Sequence, residues 1–342
     1  MPINTWNSME NRVAYFDWIA DKEGFTTKED WYSMKRTDFE KYPGGSMLNN
    51  LYGGSPREAI MDIYPDYEWK EWMFFHAPPG FWDDDDKVRP YLEWLGETLG
   101  FSNPEDWYGL HLKMGEGLYI SGLNRRFSGS AFRLCEHFFP EFDWKPWLFH
   151  RVGNTFWKNK ENRTSFMAWL QQILDLNREE DWYSVTKNDF VRNGGSGLLG
   201  SHYSDSPASA IMDLIEAKEW FPWKFTITPA GYWGSWENRR RYADWLFETL
   251  GFESPSDWYG ISQKEFENNH GVGLLYHHYG GSPIDAIVDL YPDEDWLPWK
   301  FKTTKMGFWR EESNRRLYLD WLEDDLGIDG PSGWYGIGNK DM

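Results

Sequence analysis

A single cysteine, Cys135, stands in 342 residues, which excludes an internal disulfide framework and any multi-cysteine zinc site. Long apolar runs are missing too: no window approaches the roughly 18 to 20 residues of a membrane span. The opening segment Met1-Pro2-Ile3-Asn4-Thr5-Trp6 has neither the basic stretch nor the apolar run of a secretory leader. The expectation is an intracellular chain that enters no membrane. Basic residues are scarce, 35 Lys and Arg against 55 Asp and Glu, for a formal charge of -20. Such a chain repels polyanions at long range, because non-specific nucleic-acid binding rests on clustered Lys and Arg that release counterions. No sustained apolar/polar alternation of period two is present, so strands are not expected.

What the chain has in excess is aromatic residues, 19% of the total, including 24 tryptophans. Their positions are periodic. Trp18, Trp94, Trp169, Trp245 and Trp321 follow at intervals of 76, 75, 76 and 76, and the series from Trp6 and from Trp31 step identically. All but Trp236 fall on five recurring positions. A period of this size marks a repeat architecture, which must be recognised before domains are counted. The expected organisation is all-α, a tandem array of small helical repeats: 1–78, 79–153, 154–229, 230–305 and a truncated fifth at 306–342. The fifth lacks the closing helix and Trp pair, so either its first helix caps the array or the chain is a fragment.

One repeat is legible in detail. Tyr242, Trp245, Leu246 and Leu250 recur at helical spacing between Asn238 and Gly251, with Asn238 as the expected N-cap and Gly251 as the left-handed stop. Equivalent long helices are expected from Asn11 to Gly24, Lys87 to Gly100, Asn162 to Leu176 and Asn314 to Gly327. A turn of the type Ser254-Pro255-Ser256-Asp257-Trp258-Tyr259 follows, then a short helix with a capping-box pattern at Ser262/Glu265 and Thr186/Asp189. Next come glycine turns (Gly44-Gly45, Gly194-Gly195, Gly271), where positive φ is the expected requirement. Ser55, Ser206 and Ser282, each followed by proline, are expected to cap a helix of two to three turns. The repeat closes on Trp296-Leu297-Pro298-Trp299-Lys300-Phe301 and its counterparts, where proline predicts an irregular packed segment. The second repeat departs, with Met114-Gly115-Glu116-Gly117 in its glycine region, no capping pair and one residue fewer before Ser130.

Chemistry is hard to place on this pattern. The glycine turns lack the preceding strand and the terminal Lys-Ser or Lys-Thr of a phosphate loop. The run Asp83 to Asp86 is not repeated and lacks calcium-loop spacing, which makes it a solvated helix start. The eight histidines form no recurring pair, so no metal is expected, and nothing sets the separation of carboxylates such as Asp244 and Asp257. Cys135 falls on an apolar helix face where Ile60, Ile211 and Ile287 stand elsewhere, a core position. No catalytic residue and no cofactor are predicted.

Most tryptophans are expected in the core, since a large aromatic buries much apolar area in a short chain. The closing indoles Trp72, Trp147, Trp223 and Trp299 are the first candidates for exposure, where they would stack on bases or sugar rings, or for contacts between repeats. Arg12, Arg163, Arg239 and Arg315 open the long helices and are the candidates for a basic face; pairing with neighbouring carboxylates is the alternative. The succession of long helix, Asp-Trp-Tyr, Gly-Gly-x-Gly-Leu-Leu, Tyr-Gly-Gly-Ser-Pro-x-x-Ala-Ile and Trp-x-Pro-Trp-Lys-Phe resembles uncharacterised tryptophan-rich tandem-repeat proteins of eukaryotic microbes. The segment from Tyr279 to Ile287 also resembles the small helical repeats that accompany homing endonucleases, and that resemblance implies DNA binding. Periodicity, acidic charge and absent chemistry together predict a non-enzymatic scaffold for a protein partner, with nucleic acid as the alternative.

Overall fold

The structure is a computed structural model that describes residues 5–112, 117–153, 155–217, 219–305 and 307–338. Every regular element among them is a helix; no strand occurs. The start of the second repeat's glycine region, at Met114 to Glu116, lies outside the described residues. The chain forms two compact units, 1–156 and 157–342.

Long α-helices span Met9–Glu23, Asp85–Leu99, Lys160–Ile173, Trp236–Thr249 and Glu312–Asp325. They begin two to three residues earlier than expected, because the cap is not the asparagine. Ser8 Oγ accepts from the Asn11 amide and Ser235 Oγ from the Asn238 amide. The asparagine is therefore already inside the first turn. Its side chain reaches back instead: Asn11 Nδ2 donates to Thr5 O at 2.8 Å, and Asn238 Nδ2 to Tyr232 O at 2.8 Å. The helix stops are as expected, with Gly24 and Gly251 at φ 73° and 69°; in the third repeat Asp175 takes that role at φ 53°.

After each long helix of the first four repeats comes a six-residue 3-10 turn, such as Lys28–Ser33 or Pro255–Gly260, carrying a buried tryptophan. Asp257 Oδ2 accepts the Glu253 and Ser254 amides at 2.8 and 2.9 Å, and Asp30, Asp106 and Asp181 do the same for their own two amides. These bonds to the anion hold all four carboxyls below the ordinary carboxylate range. The capping boxes at Thr186/Asp189 and Ser262/Glu265 form.

The glycine turns need glycine for two reasons. Gly44 and Gly194 do adopt positive φ, 99° and 81°. His270 holds that position in the fourth repeat at φ 64°, so conformation alone is not the demand. The next residue supplies the rest: a Cβ on Gly195 would lie 2.5 Å from Phe166 Cζ, and one on Gly271 would collide with the Tyr242 hydroxyl. Close approach of the long helix fixes the residue type at these two turns, whereas a Cβ on Gly45 would collide with the Phe39 carbonyl.

The last helices, Pro56–Ile63, Ala131–Phe138, Pro207–Leu214 and Pro283–Leu290, are capped by Ser55, Ser130, Ser206 and Ser282. Ile60, Cys135, Ile211 and Ile287 are all fully buried on them. The closing segments form single 3-10 turns at Glu71–Met73, Pro146–Leu148, Pro222–Lys224 and Pro298–Lys300.

Candidate interaction groove

The closing tryptophans are not stacking platforms for a ligand. Trp72, Trp147 and Trp223 are buried and Trp299 is half-buried. Trp72 packs on Phe81, Tyr91 and Trp94 with ring centroids 6.2, 5.6 and 5.8 Å away, inside the cluster built by residues 81–149. Trp223 sits in the same way on Tyr232, Tyr242 and Trp245, and Trp299 on Tyr318 and Trp321. Exposure is the reading that fails, because each of these three rings fills space against the long helix that follows it in sequence.

The four arginines are anchored as well. Nη1 of Arg12, Arg163, Arg239 and Arg315 donates to the main-chain oxygen of Trp6, Trp157, Trp233 and Trp309, at 3.2, 2.8, 2.9 and 2.7 Å. Arg239 also reaches the Tyr279 hydroxyl and lies 3.6 Å from Asp289; Arg12 lies 3.7 Å from Asp62. Their tyrosine partners donate to the same carboxylates, Tyr52 to Asp62 and Tyr279 to Asp289, both at 2.6 Å. Arg12 and Arg239 are only 17% and 15% exposed, so little of either guanidinium is left to meet a phosphate. Arg315 remains exposed.

The second repeat solves the same problem with other residues. Val88, Phe127 and His137 stand where the first repeat has Arg12, Tyr52 and Asp62. A guanidinium returns from a different helix: Arg126 Nη1 donates to Trp82 O at 3.0 Å and Nη2 to Asp85 at 2.6 Å, and His137 lies 2.8 Å from the same carboxylate. That pairing holds Asp85 below the ordinary range, with Arg126 the principal cause. Asp85 is therefore more than a solvated helix start.

A groove occupies equivalent positions in the second and fourth repeats. In the second, about 360 Å³ lies between His111, Ser130 at the helix cap, and the connector His150-Arg151-Val152-Gly153. In the fourth, about 1080 Å³ lies between Ser262, Ser282 and Thr303-Thr304-Lys305. The segments that flank both grooves are held by shared parts. Tyr108 and Tyr259 accept the Lys145 and Leu297 amides on their hydroxyls, at 2.9 and 3.1 Å, and Phe149 and Phe301 pack edge-on against them at 4.8 Å. The same clamp occurs at Tyr32 and Tyr183. This tyrosine recurs directly after each turn tryptophan, which was its signal in the sequence.

The connector itself is where the repeats differ. It reads Phe75-His76-Ala77-Pro78, His150-Arg151-Val152-Gly153, Thr226-Ile227-Thr228-Pro229 and Lys302-Thr303-Thr304-Lys305, each directly after the constant phenylalanine, Phe74, Phe149, Phe225 or Phe301. Its first two residues are exposed in all four. The lining chemistry varies with it. Lys35 Nζ lies 4.3 Å from the Phe75 ring, the His111 and His150 rings lie 4.7 Å apart, and Lys305 pairs with Asp285 at 3.0 Å.

Among the described residues no three His, Cys, Asp or Glu side chains come together to hold a metal, and no helix is long and apolar enough to cross a membrane. Asp244 is bound by Arg240 and Tyr291, whereas Asp257 caps its turn, so each carboxylate has its own separate duty. No family model, curated protein or solved structure matches the chain.

Proposed function

We propose that the chain is a non-enzymatic tandem-repeat scaffold, five units of which the fifth is incomplete, that binds a protein partner through the grooves under its connectors. One observation carries this reading: a frame of buried aromatics presents four connectors of different sequence, each exposed at its first two residues. Repeat proteins recognise partners through such variable positions on a repeated support. The resemblance to tryptophan-rich tandem-repeat proteins belongs to this proposal. The nucleic-acid alternative loses support because the helix-opening arginines are occupied by main-chain oxygens, and the formal charge is -20.

Selection of displayed random peptides on the whole chain tests it. Exchanging residues 302–305 for the sequence of 226–229 is expected to change the selected motif without moving the melting temperature. An unchanged motif contradicts the assignment. Salt-sensitive binding of DNA or RNA near physiological ionic strength would favour the alternative.

A further inference from the structure

The second repeat carries an apolar cleft of about 340 Å³ on the face of its long helix, and a second one of about 260 Å³ adjoins it. Both share Phe101, Trp107 and Phe139. Phe101 meets Trp107 edge-on at 5.3 Å, and Phe139 lies 4.9 Å from the same indole. The cleft bottoms out at Gly96, which is buried within the helix.

The fourth repeat shows what fills this place when the chain supplies it. Phe247 stands at the position of Gly96, with its ring 5.8 Å from Trp258 and 5.6 Å from Phe252, the counterparts of Trp107 and Phe101. Above it, Arg240 lies 3.9 Å from the Tyr291 ring, whose hydroxyl donates to Asp244. In the first repeat the position is Ala20, and Lys28 closes over Tyr64 at 3.3 Å while that hydroxyl donates to Asp17. The second repeat has none of these covers. Phe139 lacks the hydroxyl, Pro104 replaces Lys28, and Arg89, the counterpart of Arg240, turns to Phe138 instead. Two changes, the lost phenyl and the lost lid, leave an aromatic cradle of the size that ligand sites have. Apolar cavities made by removing one large side chain take up benzene-sized guests, because the lining otherwise forfeits its contacts.

We propose that this cleft binds a compact aromatic ligand whose benzene-type ring takes the place that Phe247 occupies in the fourth repeat. The rim fixes its charge. Glu93 and Glu97 border the cleft against one cation, Arg89, so a ring bearing an ammonium tail is preferred to one bearing a carboxylate.

The test is a titration of the full chain with phenethylammonium and with phenylacetate, followed through the Trp107 indole resonance and by calorimetry. Saturable binding, tighter for the ammonium and at least tenfold weaker in Gly96→Phe, is expected. Gly96→Ala should fall between, since a Cβ there meets only the edge of Trp107 at 3.3 Å. Both variants should melt no lower than the parent, because helix-interior glycine is the poorer choice. Absence of saturable binding for either probe, or binding that survives Gly96→Phe in a folded protein, would overturn the proposal. Preference for phenylacetate would overturn the charge assignment.

Discussion

At the scale of single residues, the Asn-Arg pair at four of the five long-helix starts shows how much chemistry a dipeptide can absorb. Asn11, Asn238 and Asn314 tie back to a main-chain oxygen six residues earlier, and the arginine that follows ties to the next one. Hydrogen bonds made by a charged donor contribute about 1.5 to 3 kcal/mol when one partner is removed. Arg239→Ala is therefore expected to cost about 2 kcal/mol in denaturant unfolding, and Arg126→Ala a similar amount although it belongs to another helix. An effect below about 0.5 kcal/mol, the scale of an ordinary surface substitution, would mean that the guanidinium is dispensable. The arginine positions were legible in the sequence, but their targets were not, because a one-dimensional pattern does not distinguish a carbonyl oxygen from a phosphate. The asparagine cap was misplaced because Ser8 and Ser235, three residues earlier, open the helix first and accept the asparagine's own amide.

Two further tests belong to this scale. Burial pushes the Cys135 thiol up to about 12, so the folded protein should leave a thiol reagent unconsumed at about pH 8 and react only when unfolded. Asp30, Asp106, Asp181 and Asp257 carry depressed values, so their contribution to stability is present above the unfolded carboxylate value near ~4 and disappears as pH falls through the folded one. Replacing Asp106 by Asn should flatten that acid limb in a melting series from roughly pH 5 to pH 2, the range over which such carboxylates lose their linkage. An acid limb as steep as the parent's would show that the two amide bonds contribute nothing.

At the scale of elements, most of the fold was readable. Serine followed by proline set the start of three helices, and hydroxyl-to-carboxylate spacing set two capping boxes, because both signals are local and depend on backbone amides a few residues away. The glycine turns were harder. Positive φ is a property of the turn itself, but the collision with Phe166 or Tyr242 depends on a helix that lies more than twenty residues earlier in the chain. Gly195→Ala is expected to cost about 1 to 3 kcal/mol through overpacking. Equal stability in thermal unfolding would show that the long helix yields there. The grooves were the least legible of all. The clamp tyrosines beside them look like ordinary aromatics, and the connector stands out only when the repeats are laid side by side.

At the scale of the whole molecule, the account turns on the closing tryptophans. In sequence each belongs to the end of one repeat, yet Trp72, Trp223 and Trp299 spend their apolar surface on the long helix of the next. At these three places the closing ring and the following long helix share one aromatic core, so loss of the ring is felt in that helix. Removing such a ring should cost about 3 to 5 kcal/mol. The most direct test is hydrogen exchange on the full chain with Trp223→Ala. The account predicts faster exchange across the helix Trp236–Thr249, more than across Pro207–Leu214 in the ring's own repeat. Acceleration confined to Pro207–Leu214, or none at all, would contradict it.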